Sequence, residues 1–372
     1  MRIVIHALHF AEYASRLAVA LARDHEVLVI LDSDNSKAEL SGALKVRLEK
    51  AVRLLIVPKG GAKGFRHLVH IWKIHRAIAE FEPDIIHTQE SPTHVSYWSL
   101  MGLRSVPLVL TVHDHVWHSG EGGKTKFLSR LWEYYVRRVR YRCDGVIVHG
   151  KFIAMEYRQL PEGIGKSVYV VFHGALATHD LPHAALPVRV GGDILFFGRI
   201  EAYKGLGALI DACDLLAARG ASFRLVVAGR GRDLERHRAR LADRSWAVLD
   251  EAFIAADDVG ALFDKARVVA LPYVDATQSG VGAIAIGRGC PVVATRVGSL
   301  PEVVFHEETG LLVPPGDPAA LSDAIFRLLT DDALHASLTR QSLKLAEGEL
   351  SWASIANKTT AVYKDVLRSH DG

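Results

Sequence analysis

Short apolar runs alternate with longer stretches of helical period along the whole chain, and they do so in two series. RIVIHAL, HEVLVIL, RLLIVP, PDIIHTQ, PLVLTVHD and DGVIVHG form the first; DILFFGR, FRLVVAG, WAVLDEAF, ARVVALPY, CPVVATR and GLLVPPG form the second. Runs this short and this apolar suit strands of a parallel sheet, which is covered on both faces. Between them, residues 12–23 and 64–81 set Leu, Ile, Ala and Val at three- and four-residue intervals, as crossover helices do. The 372 residues are enough for two such domains. Residues 175–193, with Pro182 and Pro187 and little periodicity, read as the linker between them. A last helical stretch, 351–367, follows a hinge at 345–352.

Composition removes several alternatives. With 49% hydrophobic and 23% charged residues the chain is neither disordered nor fibrous. No stretch reaches eighteen apolar residues, and His6, His9 and Glu12 break the first apolar run, so neither a membrane span nor a signal peptide is expected. Cys143, Cys213 and Cys290 lie far apart without CxxC spacing, which argues against disulfides and structural zinc and fits a reducing cytoplasm. A dinucleotide-binding domain would announce itself by GxGxxG after the first strand; the turn here is HALHFAE, which leaves Asp32 and Asp34 without that context.

The second series carries the more specific loops. FFGRIEAYKG follows a strand, so Arg199 and Lys204 emerge at the carboxyl edge of the sheet, where α/β proteins bind ligands, and two cations there suit a diphosphate. Gly198 would let the backbone come close. From this segment alone, a surface loop with solvated charges is the favoured reading. VVAGRGRD places Gly229 and Gly231 after the next strand, for contact with a base or phosphate or simply for a tight turn. In DATQSGVG, residues Asp275 to Ser279 precede a helix that starts near Gly280, whose free N–H groups and dipole favour an anion. An ordinary N-cap by Thr277 or Ser279 needs no ligand.

In this order, and followed by GCPVVAT, GSLPEVV and ETGLLVPPGDP, these loops resemble the C-terminal domain of the retaining GT-B glycosyltransferases of family four. PDIIHTQ, LTVHD and CDGVIVHG in the first half and SWASIA near the end agree with it. The resemblance implies an α/β protein of two Rossmann-like, doubly wound parallel-sheet domains facing a central cleft. Residues 1–172 would form the acceptor-side domain, 173–350 the nucleotide-sugar domain, and 351–372 a helix crossing back to the first. It further implies that Arg199, Lys204 and His113 are catalytic. Donor contacts would come from Gly198, Gly229, Gly231, Phe253, Ile254, Asp275, Thr277, Gln278, Ser279, Gly280 and Val281. His9, Phe10, Glu12 and Asp114 would shape the acceptor side. Two departures stand out: the family's paired glutamates fall on Ala276 and Ile284, with Asp275 one residue out of register, and its glycine pair in the first turn is absent.

Charge and histidine content add a partner. Residues 1–180 hold 24 Lys/Arg against 18 Asp/Glu, and 124–142 hold seven basic residues against Glu133. Residues 126–142 form a basic amphipathic helix that suits either an anionic membrane surface or the ordinary covering of a sheet. Residues 45–76 are also basic. HDHVWH, from His113, follows a strand end rather than a metal-ligand pattern, and His67, His70 and His75 read as surface or interface residues. The expectation is therefore a cytoplasmic enzyme, peripheral on the inner face of the plasma membrane. It would be a retaining, metal-independent hexosyltransferase without cofactor, moving sugar from a nucleoside diphosphate donor to a polysaccharide, glycolipid or polyprenyl-linked acceptor. Nucleic acid is not an expected partner. A catalytically degenerate nucleotide-sugar-binding or scaffolding protein of the same fold is the alternative.

Overall fold

The computed structural model describes residues 1–58, 66–91, 93–103, 105–113, 126–176, 189, 191–252, 254–276 and 278–371. These fall into two compact units, one within 1–113, 126–172 and 352–371, the other within 173–351.

The N-terminal unit is a seven-stranded parallel sheet. Its strands are β1 (Arg2–Ala7), β2 (Glu26–Asp32), β3 (Arg53–Val57), β4 (Ile85–Gln89), β5 (Leu108–Val112), β6 (Gly145–Val148) and β7 (Ser167–Val170), in the order β3-β2-β1-β4-β5-β6-β7. Its helices are α1 (Ala11–Leu21), α2 (Ser33–Glu39), α3 (Gly42–Ala51), α4 (Arg66–Phe81), α5 (His94–Leu100), α6 (Lys126–Arg142) and α7 (Lys151–Gln159). Alternate residues of each strand feed two cores. Ile3, Ile5, Ile85, Val109 and Ile147 pack toward α1, while Val4, Ile86, Leu110, Val146 and Val148 pack with residues of α4, α5 and α7. Burial on both faces explains why the strands read as apolar runs. The six strands expected from sequence are joined by β7, a half-exposed four-residue edge strand whose SVYV is too short to separate from the segment that follows it.

The C-terminal unit repeats the plan with β8 (Asp193–Phe197), β9 (Arg224–Ala228), β10 (Ala247–Asp250), β11 (Val268–Leu271), β12 (Val292–Thr295) and β13 (Gly310–Val313), ordered β10-β9-β8-β11-β12-β13 and all parallel. Helices α8 (Leu206–Ala218), α9 (Leu234–Ala242), α10 (Ala256–Lys265), α11 (Gly280–Gly287), α12 (Pro318–Thr330) and α13 (Asp332–Glu347) accompany it. Helix α12 starts where its sequence says it should, with Pro318 in the first turn and the Asp317 side chain accepting from Ala320 N–H. Buried arginines tie the far edge: Arg288 pairs with Asp264, Arg267 with Asp332 and the Leu328 carbonyl, and Arg189 donates to the Arg288 carbonyl. Most of the expected linker, 177–188 and 190, lies outside the described residues.

The last helix, α14 (Trp352–Asp371), belongs to the N-terminal unit. Ile355, Ala356, Val362, Tyr363 and Val366 complete the α1-side core, each large side chain supplying roughly 1.5 to 3 kcal/mol of burial as an upper bound. A Cβ on Gly145 would come within 2.7 Å of Val366, so β6 carries glycine where the helix presses on it.

In both sheets the winding reverses at the first strand: β1 lies between β2 and β4, and β8 between β9 and β11. The carboxyl ends of those strand pairs are where doubly wound sheets open to ligands.

Candidate functional site

At the reversal of the C-terminal sheet, β8 hands the chain to Gly198, whose φ of 101° few side chains adopt. A Cβ there would stand 3.2 Å from Lys204 Nζ and 3.6 Å from Val281. The strand end, the lysine and the first turn of α11 therefore meet at one point. Lys204 closes the single helical turn Ala202–Lys204 and is only 7% exposed, its ammonium 5.6 Å from the centre of the Tyr273 ring. The two loops that build this spot are fixed to each other. Val274 N–H donates to the Tyr203 carbonyl at 2.7 Å, and Thr295 Oγ1 donates to the Tyr273 carbonyl at 2.5 Å. Gly205 leaves room for the Pro272 carbonyl, which a Cβ would meet at 2.0 Å. A charge held on such a frame needs no reorganisation when an anion arrives.

Ser279 caps α11 and accepts from Gly282 N–H at 3.1 Å; its hydroxyl lies 3.5 Å from that of Tyr273. Gly280 has open space where a Cβ would sit, and the first turn of α11 itself carries no acidic residue. Gln278 is half-buried, and its Oε1 is buried without a hydrogen-bond donor among the described residues. Arg199 and Asp275 are exposed at the ends of their strands, and Ile254 is half-buried between β10 and α10. Gly229 and Gly231 have a reason of their own: a Cβ would meet the Gly198 carbonyl at 2.0 Å or the Ile200 carbonyl at 1.9 Å, so these glycines let β9 close against the β8 loop. Ala276 and Ile284 are both buried, and a Cβ on Gly298 would collide with the Ala276 carbonyl at 1.5 Å. Phe253 and Thr277 lie outside the described residues.

At the reversal of the N-terminal sheet the polar groups are different. Alternation along β4 and β5 puts Ile85, His87 and Gln89 on one face with Val109, Thr111 and His113, apolar at the start and polar at the carboxyl ends. His113 is buried; its Nε2 lies 2.9 Å from Gln89 Oε1. Phe10 stacks on its ring at 3.6 Å, with Tyr13 edge-on at 5.2 Å and His149 at 4.8 Å. Phe10 holds φ of 62° at the cap of α1. A bulky residue in the left-handed region is strained by roughly 1 to 3 kcal/mol, and such strain gathers at functional sites. The first turn, which lacks glycine, thus sets a phenylalanine in the left-handed region that favours glycine. His9 is half-buried beside Phe10, whereas Glu12 is engaged by Arg16 at 2.9 Å, with its N–H donating to Glu39. Asp114 and the rest of HDHVWH lie outside the described residues.

Sequence reasoning missed Tyr203 and Tyr273, which frame Lys204, and Gln89, Tyr13 and His149, which frame His113. Polar residues at alternate positions of otherwise apolar strands were the available signal for Gln89 and His149. The basic helix α6 is corrected in part. Arg140 is 6% exposed and paired with Glu90 and Glu162, and Arg142 donates to the Leu103 and Val106 carbonyls. Those two arginines serve the fold; Arg137 and Arg138 remain exposed. His67 and His70 are buried, not surface residues. No helix among the described residues is long and apolar enough to cross a membrane.

Two family models match the chain: Glycosyltransferase Family 4 over residues 11–174 and Glycosyl transferases group 1 over 191–331. A phosphatidyl-myo-inositol mannosyltransferase of Mycobacterium leprae is 26% identical over 375 residues, 98% of this chain and 93% of the relative. An uncharacterized glycosyltransferase of Methanocaldococcus jannaschii is 34% identical over 296 residues, 76% of this chain and 75% of the relative. Among solved structures, Anabaena HepE in complex with UDP-glucose is similar in fold, with a TM-score of 0.68 at 18% identity over 98% of this chain and all of that one. With two parallel-sheet Rossmann-like domains and these relatives, the chain belongs to the family-four glycosyltransferases of GT-B fold.

Proposed function

We propose that the chain is a retaining, metal-independent hexosyltransferase that moves a sugar from a nucleoside diphosphate donor to a saccharide, glycolipid or polyprenyl-linked acceptor. The observation that carries this reading is the buried Lys204, whose ammonium and Val281 in the first turn of α11 both come up against Gly198. Breaking a glycosidic bond to a diphosphate leaves oxocarbenium character on the sugar and growing negative charge on the departing oxygens. Lys204, Arg199 and the N–H groups of Gly280 and Val281 meet that charge, and Gln278 and Ser279 stand beside them. The acceptor hydroxyl attacks on the face the diphosphate leaves and passes its proton to it, which retains the configuration without a protein nucleophile. His113 contributes to the sugar from the N-terminal unit. That HepE was crystallised with UDP-glucose, and that the M. leprae relative carries the name of a lipid-directed mannosyltransferase, agree with this donor and acceptor class.

Lys204→Ala should lower turnover about 100- to 1,000-fold, measured as release of nucleoside diphosphate, with the donor chosen by thermal shift among UDP, GDP, dTDP and ADP. Undiminished release would overturn the assignment. Binding with no release in the unmodified protein, whatever acceptor is supplied, would favour a binding protein of the same fold.

The N-terminal unit is also proposed to rest on an anionic membrane. Leu68 (62% exposed), Val69 and Trp72 (57%) line the outer face of α4 beside Lys73 and Arg76; Trp98, Tyr134, Arg137 and Arg138 are exposed on α5 and α6. Aromatic rings among cations suit a lipid headgroup layer. Flotation with anionic vesicles should fall on changing Arg137 and Arg138 to Gln; undiminished flotation would count against the electrostatic part.

A further inference from the structure

A chain of buried hydrogen bonds runs from α14 to the His113 ring. Tyr363 Oη lies 2.6 Å from His87 Nδ1; His87 Nε2 lies 2.6 Å from Thr111 Oγ1 and 3.4 Å from Gln89 Nε2; Gln89 Oε1 lies 2.9 Å from His113 Nε2. All five side chains are buried. The order of donors along it can be read. An amide nitrogen only donates, so with the amide in this orientation the 3.4 Å contact of Gln89 Nε2 makes His87 Nε2 the acceptor, and the His87 proton then sits on Nδ1, facing Tyr363, whose hydroxyl, like that of Thr111, fits either role. Gln89 is thereby held with its carbonyl oxygen toward His113, and that oxygen only accepts. His113 must then carry a proton on Nε2, and in the neutral form of the ring Nδ1 is the acceptor nitrogen.

We propose that Gln89 is a positioning residue that, anchored through His87 to Tyr363, fixes the tautomer and tilt of His113 for transfer. This rests on the assignment of His113 to the sugar. Burial holds His87 down near 3, so it stays neutral and accepting at any pH at which the protein works. The stacked Phe10 and the edge-on Tyr13 hold the ring from its faces, and Gln89 sets its rotation about them. Neither ring contact selects a tautomer, whereas the amide oxygen of Gln89 does. The sequence marks the chain by polar residues at alternate positions, His87 and Gln89 on one strand and Thr111 and His113 on the next, a pattern wasteful in a buried strand unless those groups bond to one another.

The test is a double-mutant cycle on the full chain with a spectroscopic companion. Nucleoside diphosphate release is followed for UDP-glucose, GDP-mannose, dTDP-glucose and ADP-glucose in wild type, Gln89→Met, His113→Ala and the double variant. Gln89→Met should lower kcat about tenfold with donor KM little changed, and should cost nothing further once His113 is alanine. Gln89→Glu keeps an acceptor against His113 Nε2 but loses the donor toward His87, so it should recover only part of the loss. Long-range proton–nitrogen spectra of histidine-labelled protein, with His113 assigned by the signal lost in His113→Gln, should show the Nε2–H tautomer in wild type and a mixture in Gln89→Met. Equal losses from Gln89→Met in both backgrounds, or an Nδ1–H tautomer in wild type, would overturn the inference. If His113→Ala itself leaves turnover intact, the fault lies with the assignment of His113 to the sugar, and the inference falls with it.

Discussion

The two units share a plan and differ in the polar groups they bury. Among the described residues the N-terminal unit buries six histidines, His6, His67, His70, His87, His113 and His149, and one arginine, Arg140, whereas the C-terminal unit buries Arg189, Arg267, Arg288 and Lys204 and one histidine, His335. Imidazole is neutral, donates at one nitrogen and accepts at the other, and can build chains such as Tyr363–His87–Gln89–His113. Guanidinium and ammonium keep their charge and demand oxygen partners, which Asp264, Asp332 and the Leu328 carbonyl supply. Even Arg288, which burial pushes down to about 10, remains charged at neutral pH. At the carboxyl edges, one sheet therefore presents orientable imidazole and amide groups and the other the ammonium of Lys204. A sugar hydroxyl suits the first and a diphosphate the second.

The sharpest way to break this contrast is Asp264→Ala. It leaves the Arg288 guanidinium buried without its carboxylate and should destabilise the C-terminal unit by about 3 to 5 kcal/mol, read from the urea midpoint and localised by amide hydrogen exchange. A loss below 1 kcal/mol would mean that the pair is not what holds that edge. Acid should act on the other unit. Burial lowers His6 to about 4 and His87 to about 3, so the unfolded chain takes up protons first as pH falls below 6.5. Stability is whole above pH 6.5 and is lost progressively down to about pH 4, by roughly 3 kcal/mol for His6 alone. Exchange mapped between pH 7 and 4.5 should show the N-terminal sheet opening first; simultaneous opening of both sheets would erase the distinction. The smallest effect belongs to the exposed cations: changing Arg137 and Arg138 to Gln should leave the urea midpoint unchanged while reducing vesicle flotation.

Much of the architecture was legible because parallel strands buried on both faces leave long apolar runs, and twelve of the thirteen strands announced themselves that way. Strand β7 did not, since Ser167–Val170 is short, half-exposed and followed directly by Val171. The meeting of Gly198, Lys204 and the first turn of α11 was legible in the order of the glycines and cations along the second half. The site was not legible where tertiary contact decides the meaning of a residue. Nothing local tells that Arg140 turns inward to Glu90 and Glu162 while Arg137 and Arg138 stay out, because the carboxylates come from elsewhere in the sequence. Nor does a lone phenylalanine after β1 reveal that it takes a left-handed backbone to lie on His113. Gly229 and Gly231 teach the converse: a motif read for its ligand also serves the approach of two backbones.

Helix α14 imposes an order of events on synthesis. The first half of the chain emerges from the ribosome early, yet its α1-side core lacks Ile355, Tyr363 and Val366 until the final twenty residues of this sequence have been made. Residues 173–351, by contrast, hold all their strands in one continuous stretch and can finish while translation continues. The half that is made first is thus completed last, and a product cut short before residue 352 would expose a greasy, unfinished surface that marks it for proteolysis.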